Sequence, residues 1–530
     1  MQIKKIPYAD VPLFSARDKA YIEETPALRP FYKYPVSLES FENVIADKKK
    51  DKTDRATLVN VLLKQHEGLN APSIVLGNIN QLQNENAFTI ITAHQPSLFT
   101  GPLYYVFKII SAIKLTRQLK EKYPQNEFIP VFITSGEDHD FEEVNHLHLF
   151  NKTLTWESGQ TGPVGHMSID SLKPVLDELQ NILGETENAK AIFQVIEKTH
   201  TGQKSYARAA FELAHELFKK FGLVVLNTND AALKKLFVPM IKEEIFAQVS
   251  QPLVEATFSE LDKAGFPSQA MPREINFFYL KDNLRERIVL ENGNFKVLNT
   301  QLSFSREEME QEIELYPERF SPNVIMRPVY QELIMPNLAY VGGGGEIAYW
   351  LERKNQFKHF GINFPMLVRR DSALWIDSGN VKKMNKANLQ LEDLWKDTDL
   401  LIRAYISQFG NVDISLKKEQ DALKSLFEAL AEKAKTADPN LEKMVLAEHA
   451  KASKSLDQIE TRLLRAEKQS HDNAISQIRT LKERLFPGNG LQERYDNFLP
   501  FYLKYGEEWF DLLMEGFDPL DRKFKVYLEA

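Results

Sequence analysis

The chain reads as an α/β fold with a parallel central sheet, followed by a charged helical coiled-coil region. Three observations carry that reading. A strand–loop–helix–strand rhythm runs from residue 87 to residue 134. Five carboxylates and two imidazoles crowd the thirteen residues Thr134–His146, directly where the second of those strands should end. Beyond about residue 385 the chain becomes helix-forming, with leucines at three- and four-residue spacing.

The first 85 residues are mixed. Lys48-Lys49-Lys50-Asp51-Lys52 predicts an exposed turn before a helix over about 54–67, and no chemistry is legible there. Ala87-Phe88-Thr89-Ile90-Ile91-Thr92-Ala93 is then a buried strand by its unbroken apolar, β-branched run. The loop from His94 to Pro102 leads into a helix from about Leu103 to Lys122, with Leu103, Val106, Phe107, Ile110 and Ile113 on one stripe. Phe128-Ile129-Pro130-Val131-Phe132-Ile133 is the next strand, closing a unit of about 45 residues that fits a βαβ crossover.

Ligands of open α/β sheets bind at the carboxyl ends of the strands. Gly136-Glu137-Asp138-His139-Asp140-Phe141-Glu142-Glu143-Val144-Asn145-His146 therefore reads as an active-site loop, the alternative being a solvated loop capping a helix from about Phe141. From about 150 to 300 the pattern loosens into inserted material. It predicts helices over about 171–183, 187–198, 203–220, 231–248 and 250–264, a strand at 223–227, and an antiparallel hairpin of 277–280 with 287–290. Gly342-Gly343-Gly344-Gly345 is costly in chain entropy. It is explained either by backbone N–H groups facing an anion at the start of a helix from about Glu346, or by close packing. No Gly-Lys-Ser/Thr follows, so it is not a Walker A loop.

Leu416, Leu423, Leu426 and Leu430, and later Leu456, Ile459, Leu463 and Ala466, give a coiled-coil seam broken at Asp438-Pro439-Asn440. The expected form is an antiparallel hairpin with a second arm over about 441–486, roughly 70 Å long at 1.5 Å per residue, interrupted at Ser470 and Asn473 and serving dimerisation. The divisions predicted are a core over 1–385, a helical domain over 386–490 and a tail over 491–530 that packs back on the core.

Bulk properties narrow the function. A net charge of −8 disfavours general nucleic-acid binding, and the absence of cysteine removes disulfides, thiolate catalysis and thiolate metal ligation. No segment reaches 18 uninterrupted apolar residues and no apolar stretch follows Met1–Pro7, which predicts a soluble cytoplasmic protein with no membrane partner.

Four blocks together resemble one family: Thr92 through Tyr104, Gly136 through His146, Arg327-Pro328 through Trp350, and Leu485-Phe486-Pro487 through Leu499-Pro500. In order and spacing they are similar to the cysteine-adding enzymes of bacillithiol biosynthesis, over the chain from about residue 85 to its end. The resemblance implies a Rossmann-like core of the nucleotidylyltransferase and class I aminoacyl-tRNA synthetase kind, with connective insertions, a C-terminal α-helical coiled coil, and homodimers. The implied activity is a ligase reaction, amide formation between L-cysteine and glucosaminyl-malate as the last step to bacillithiol. By fold analogy, ATP with Mg²⁺ would activate the carboxyl, and no tightly bound metal is expected.

That chemistry assigns roles. The sugar amine must lose a proton before it attacks, so a base is needed: Asp138 or His139, with Glu137 and Asp140 holding geometry or the ammonium charge. The acceptor's carboxylates call for cations, Arg327 and Lys108, and for the neutral donors Gln95, Ser97 and Asn145. His94, His146 and Tyr340 complete the expected substrate site. Gly342, Gly343, Gly344, Gly345 and Glu346 form the expected nucleotide or anion site. Two other classes fit parts of the pattern: a metal-assisted hydrolase built on the acidic loop, and a non-catalytic coiled-coil scaffold.

Overall fold

The computed structural model describes residues 1–281, 283–409 and 415–530. The chain forms two compact units, Ile3–Ala373 with Glu493–Val526, and Leu374–Gln492 with Met1–Gln2 and Tyr527–Ala530. The change at Ala373–Leu374 lies upstream of the expected 385/386, because the helix Ser378–Lys386 groups with the helical unit.

Five strands make the central sheet of the larger unit: β1 (Ala87–His94), β2 (Glu127–Thr134), β3 (Val224–Leu226), β4 (Asn337–Gly342) and β5 (Met366–Arg369). Their order is β5-β4-β1-β2-β3, and every neighbouring pair is parallel. This is the order of a doubly wound Rossmann sheet without its sixth strand, with the topological switch point between β1 and β4. β1 and β2 run in register from Ala87↔Glu127 to His94↔Thr134, so the loops after both open at one level. Pro130 lacks a ladder donor, and β3 pairs with β2 only after it, from Val131.

The helix α1 (Tyr104–Lys122) joins β1 to β2. The predicted stripe is buried, but so are Tyr105, Lys108, Ile109 and Ser111 on its other sides. The C-terminal segment packs on the stripe's own side, where Phe517 meets Phe107 at 5.1 Å and Lys114 donates to the Met514 carbonyl at 2.9 Å. A helix covered on both sides carries no single apolar stripe.

The predicted hairpin exists as Phe277–Lys281 paired with Leu284–Glu291, within a five-stranded antiparallel sheet completed by Phe320–Pro322, Asn294–Val297 and Ser303–Phe304. Residue 282, in its turn, lies outside the described residues. The predicted helices of the insertion are present, among them α2 (Ala231–Ala247). Two further helices flank β4: α3 (Arg327–Ile334) before it and α4 (Gly344–Leu351) after it.

The alternative of a helix from Phe141 is not what forms. Phe141–Glu143 makes one 3-10 turn, and His146–Leu149 then pairs with Lys152–Thr155 as a hairpin. The sequence His-Leu-His-Leu alternates with period two and buries only its leucines, which is the signature of a strand.

In the smaller unit, α5 (Lys417–Ala437) and α6 (Pro439–Ser470) form the predicted antiparallel hairpin, with Asp438 capping the Asn440 N–H beside Pro439. The second arm is not continuous: it stops at His471 and resumes as α7 (Asp472–Leu485). Only part of the predicted seam is covered, since Leu426, Leu430 and Ile459 are 56%, 42% and 48% exposed. Residues 410–414, inside the stretch predicted to be helical, lie outside the described residues.

Candidate active site

The carboxyl ends of β1, β2, β4 and β5, the antiparallel sheet and Arg494 enclose a cavity of about 760 Å³. It sits at the switch point, where a parallel sheet leaves a crevice between loops that turn to opposite faces. The cavity is cationic inside an acidic protein. Seven Lys and Arg side chains line it against four carboxylates, whereas the whole chain carries −8.

The acidic loop after β2 lies on one side, and its members have separate fates. Asp138 Oδ1 accepts from Arg327 Nη2 at 2.7 Å and from Arg285 Nη2 at 2.9 Å. Burial opposes its charge, yet Arg327 and then Arg285 hold its carboxyl down at about 2. A carboxylate so stabilised is a fixed anion and a poor proton acceptor, which corrects the expectation of Asp138 as base. His139 Nδ1 lies 2.8 Å from Arg285 Nη1. A guanidinium only donates, so Nδ1 accepts and the remaining ring proton sits on Nε2. His139 is thus a donor toward the cavity, again unlike the expected base. Arg285 itself stacks on Phe278, 3.8 Å from the ring centre.

Glu137 points away. Its Oε1 accepts from Lys234 Nζ on α2 at 2.6 Å and its Oε2 from Ser321 Oγ at 3.3 Å, with both ionic partners buried. Lys234 also donates to the Phe320 carbonyl at 2.8 Å. The expected catalytic Glu137 is instead a strut between the Asp138 loop and the strand Phe320–Pro322 that leads to Arg327.

On the other side of the switch point, Lys108 Nζ donates to the Ala93 carbonyl at 2.6 Å and pairs with Glu346 Oε2 at 2.8 Å. Burial lowers the Lys108 ammonium and Glu346 opposes that shift. Glu346 also accepts from Tyr340 Oη at 2.6 Å and from the Gly343 N–H at 2.9 Å. The chain's own carboxylate therefore holds the Gly343 N–H at the α4 N-terminus that an external anion was expected to take. Gly343 and Gly345 face the cavity; Gly342 and Gly344 do not. A Cβ on Gly342 would stand 2.8 Å from the Tyr340 ring, and one on Gly344 would overlap the Asp18 carboxylate, so close packing explains these two.

His94 ends β1. Its Nδ1 lies 2.8 Å from the Gln95 carbonyl and its Nε2 3.2 Å from Tyr104 Oη, while burial and then Lys108 push its pKa down to about 4. It is a neutral ring whose Nε2 accepts from Tyr104. Gln95 lines the cavity, whereas Ser97 Oγ turns back to His94 Nδ1 and the Gln95 carbonyl, both at 3.3 Å.

The turn between β1 and α1 is strained. Phe99, Thr100 and Gly101 have φ of 44°, 75° and 62°, and a β-branched residue there is costly. Buried Asn497 holds the turn through Nδ2 bonds to the Phe99 carbonyl at 3.1 Å and the Gly101 carbonyl at 2.6 Å.

Of the expected site residues, Asp138, His139, Asp140 and Arg327 come together on one side, and His94, Gln95, Lys108, Tyr340 and Glu346 on the other. Asn145 and His146 fall outside: Asn145 Nδ2 donates to the Trp156 carbonyl at 3.3 Å, and its Oδ1 lies 3.1 Å from His146 Nδ1. Sequence reasoning missed Tyr104, Arg273, Arg285, Arg287, Arg370 and Arg494. Arg285 and Arg287 stand two residues apart on a strand, so one face carries both, the one signal that could have found them. Among the described residues no three His, Asp or Glu side chains are placed together to hold an ion.

Comparison with known proteins agrees with this architecture. Residues 1–371 match the model of the N-terminal Rossmann-like domain of bacillithiol biosynthesis BshC, and residues 373–529 match that of its C-terminal coiled-coil domain. A protein of Flavobacterium johnsoniae named "Putative cysteine ligase BshC" is 41% identical over 523 residues, covering 98% of both chains. Proteins of the same name from Flavobacterium psychrophilum and Christiangramia forsetii are 40% and 38% identical over 528 residues each, with 99% and 98% of both chains covered. The chain belongs to the BshC family of bacillithiol biosynthesis.

Proposed function

We propose that this chain is a cysteine ligase that joins the carboxyl of L-cysteine to the amine of glucosaminyl-malate. The observation that supports this most is a cationic cavity at the Rossmann switch point of a protein related over nearly its whole length to relatives named for that activity. Both substrates carry carboxylates and an ammonium, and the cavity offers partners for each. Asp140 and Glu143 are its carboxylates without a clamping arginine, and they suit ammonium groups. Asp138 bridges Arg285 and Arg327 through one oxygen, holding both guanidiniums together and oriented rather than moving a proton. His139 Nε2–H supplies a neutral donor.

Amide formation from a carboxylate in water needs activation, and ATP with Mg²⁺ is the cofactor proposed. The guanidiniums of the cavity suit a triphosphate. Mg²⁺ would be held mainly by phosphate and water, since no three acidic or imidazole groups converge among the described residues. Bound there, ATP would supply a phosphate-based leaving group for the cysteine carboxyl. We place the protein in the cytoplasm as a homodimer through the coiled coil; no helix among the described residues is long and apolar enough to cross a membrane.

The test is mass spectrometry of purified protein with cysteine and glucosaminyl-malate, with and without ATP–Mg²⁺, beside Asp138→Asn. A new thiol conjugate from the wild type, strongly reduced in Asp138→Asn and dependent on ATP, is the expected result. Folded wild type that makes no conjugate under any of these conditions refutes the proposal.

A further inference from the structure

The two cations that the sequence nominates for the acceptor's carboxylates are already committed, Arg327 to Asp138 and Lys108 to Glu346. Arg370 is committed as well, its Nη2 donating to buried Glu493 Oε1 at 2.7 Å. Three other guanidiniums line the same cavity with no ionic or hydrogen-bonding side-chain partner among the described residues: Arg273, Arg287 and Arg494. Arg494 shares its end of the cavity with a carboxylate, because it and Glu143 both act on the Tyr104 hydroxyl.

Arg273 and Arg287 belong to the wall built by the inserted sheet. Arg287 stands two residues from Arg285 on one strand, so both project from the same face. Its cross-strand neighbour is Phe278, the ring on which Arg285 stacks. Arg273 is set by its own backbone: its N–H donates to Asn276 Oδ1 at 3.0 Å. The loop before it is pinned where Glu352 accepts from the Gln269 and Ala270 N–H groups, at 2.7 and 3.4 Å. Backbone anchoring fixes where the loop presents its guanidinium, and no carboxylate among the described residues neutralises it. A guanidinium fork matches a carboxylate or phosphate through two parallel hydrogen bonds.

We propose that Arg273 and Arg287 form an oxyanion subsite on the inserted-sheet wall, and that it holds the dicarboxylate of the acceptor sugar. The identity of the anion rests on the ligase reading, whereas the subsite itself does not. Arg285 and Arg327, tied to Asp138, then lie between this subsite and the reacting end rather than binding the dicarboxylate.

Isothermal titration of the full-length protein tests this without turnover. Glucosaminyl-malate, methyl glucosaminide and ATP–Mg²⁺ are titrated into wild type, Arg273→Gln, Arg287→Gln, Arg287→Lys and the distant control Arg462→Gln. Each glutamine variant is expected to weaken glucosaminyl-malate by about ten- to hundredfold, the loss of one charge-assisted pair, with partial recovery in Arg287→Lys. Methyl glucosaminide and the control variant should be unaffected. A loss that falls on ATP–Mg²⁺ instead makes the subsite one for phosphate and overturns the dicarboxylate assignment. Equal affinities in every variant, or wild type that binds neither oxyanion, overturn the subsite. Intact binding without conjugate formation counts against the ligase reading alone.

Discussion

Replacing Glu137 by Gln would remove the negative half of a buried ion pair while keeping the side chain's shape. Lys234 Nζ stands 2.6 Å from Glu137 Oε1 and 2.8 Å from the Phe320 carbonyl, over the Tyr330 ring, in a site with no exposure at the lysine. Leaving that ammonium without its counter-charge costs about 3–5 kcal/mol. That is roughly two to four powers of ten in the folding equilibrium. Lys234→Met strands the carboxylate instead and should cost a similar amount. Glu137→Leu with Lys234→Met removes both charges, and apolar replacement of a buried pair is often neutral. The double variant should therefore be more stable than either single one. Urea unfolding of wild type, Glu137→Leu, Lys234→Met and the double variant closes the cycle that gives the coupling. Conjugate formation measured alongside should fall with the loss of fold and return in the double variant, because Glu137 positions the loop and does not touch substrate. Glu137→Gln with wild-type stability and abolished turnover would refute this reasoning, and so would a double variant as unstable as the sum of the singles.

Three further outcomes follow from the same structure. Burial raises the Glu332 carboxyl to about 8 despite Lys48 at 3.8 Å; a raised folded pKa means the stability it contributes is complete below about pH 4.5 and is lost as pH rises toward 8. Glu332→Gln should flatten that decline, and thermal melts of both proteins between pH 5 and 8.5 would show no difference if the assignment is wrong. Asn497→Ala removes both bonds that hold the positive-φ turn Phe99–Gly101, so it should cost about 2–3 kcal/mol and weaken ligand binding at the neighbouring His94 and Tyr104; wild-type chemical stability and affinity would contradict it. Leu430→Glu with Ile459→Glu, on apolar side chains of α5 and α6 that are 42% and 48% exposed, should convert a dimer to a monomer in sedimentation velocity. An unchanged sedimentation coefficient would show that these side chains do not carry association.

The fold was legible where one physical cause dominates. Unbroken β-branched runs gave β1 and β2 nearly to the residue, because a strand buried on both faces has no polar alternation to confuse with helix. The coiled coil was legible from leucine spacing, but its covered face was not, since spacing does not say which leucines meet a neighbour within the hairpin. The helix at Phe141 that the alternative reading required does not form, for a different reason. Acidic residues that resemble an N-terminal turn were followed by a period-two stretch, His146–Leu149, that strand pairing claimed.

The site was legible as a place and not as a set of roles, and the distances along the chain explain why. Carboxylates at the end of β2 marked the cavity because charge at a strand terminus needs a reason. What each carboxylate does depends on partners 97, 147 and 189 residues away: Lys234 for Glu137, and Arg285 and Arg327 for Asp138. Adjacent residues in the sequence thus end in opposite circumstances, Glu137 sealed in a strut and Asp138 clamped as an anion at the cavity wall. The same pairing decides which cations remain for a substrate. Arg327 and Lys108, conspicuous within recognisable blocks, are neutralised by the chain itself, while Arg273 and Arg287, in an insertion without any motif, meet no carboxylate among the described residues. Recognition of the substrate's anionic end then falls to the residues the sequence marks least, because a cation is available to a ligand only where folding has not already supplied its counter-charge.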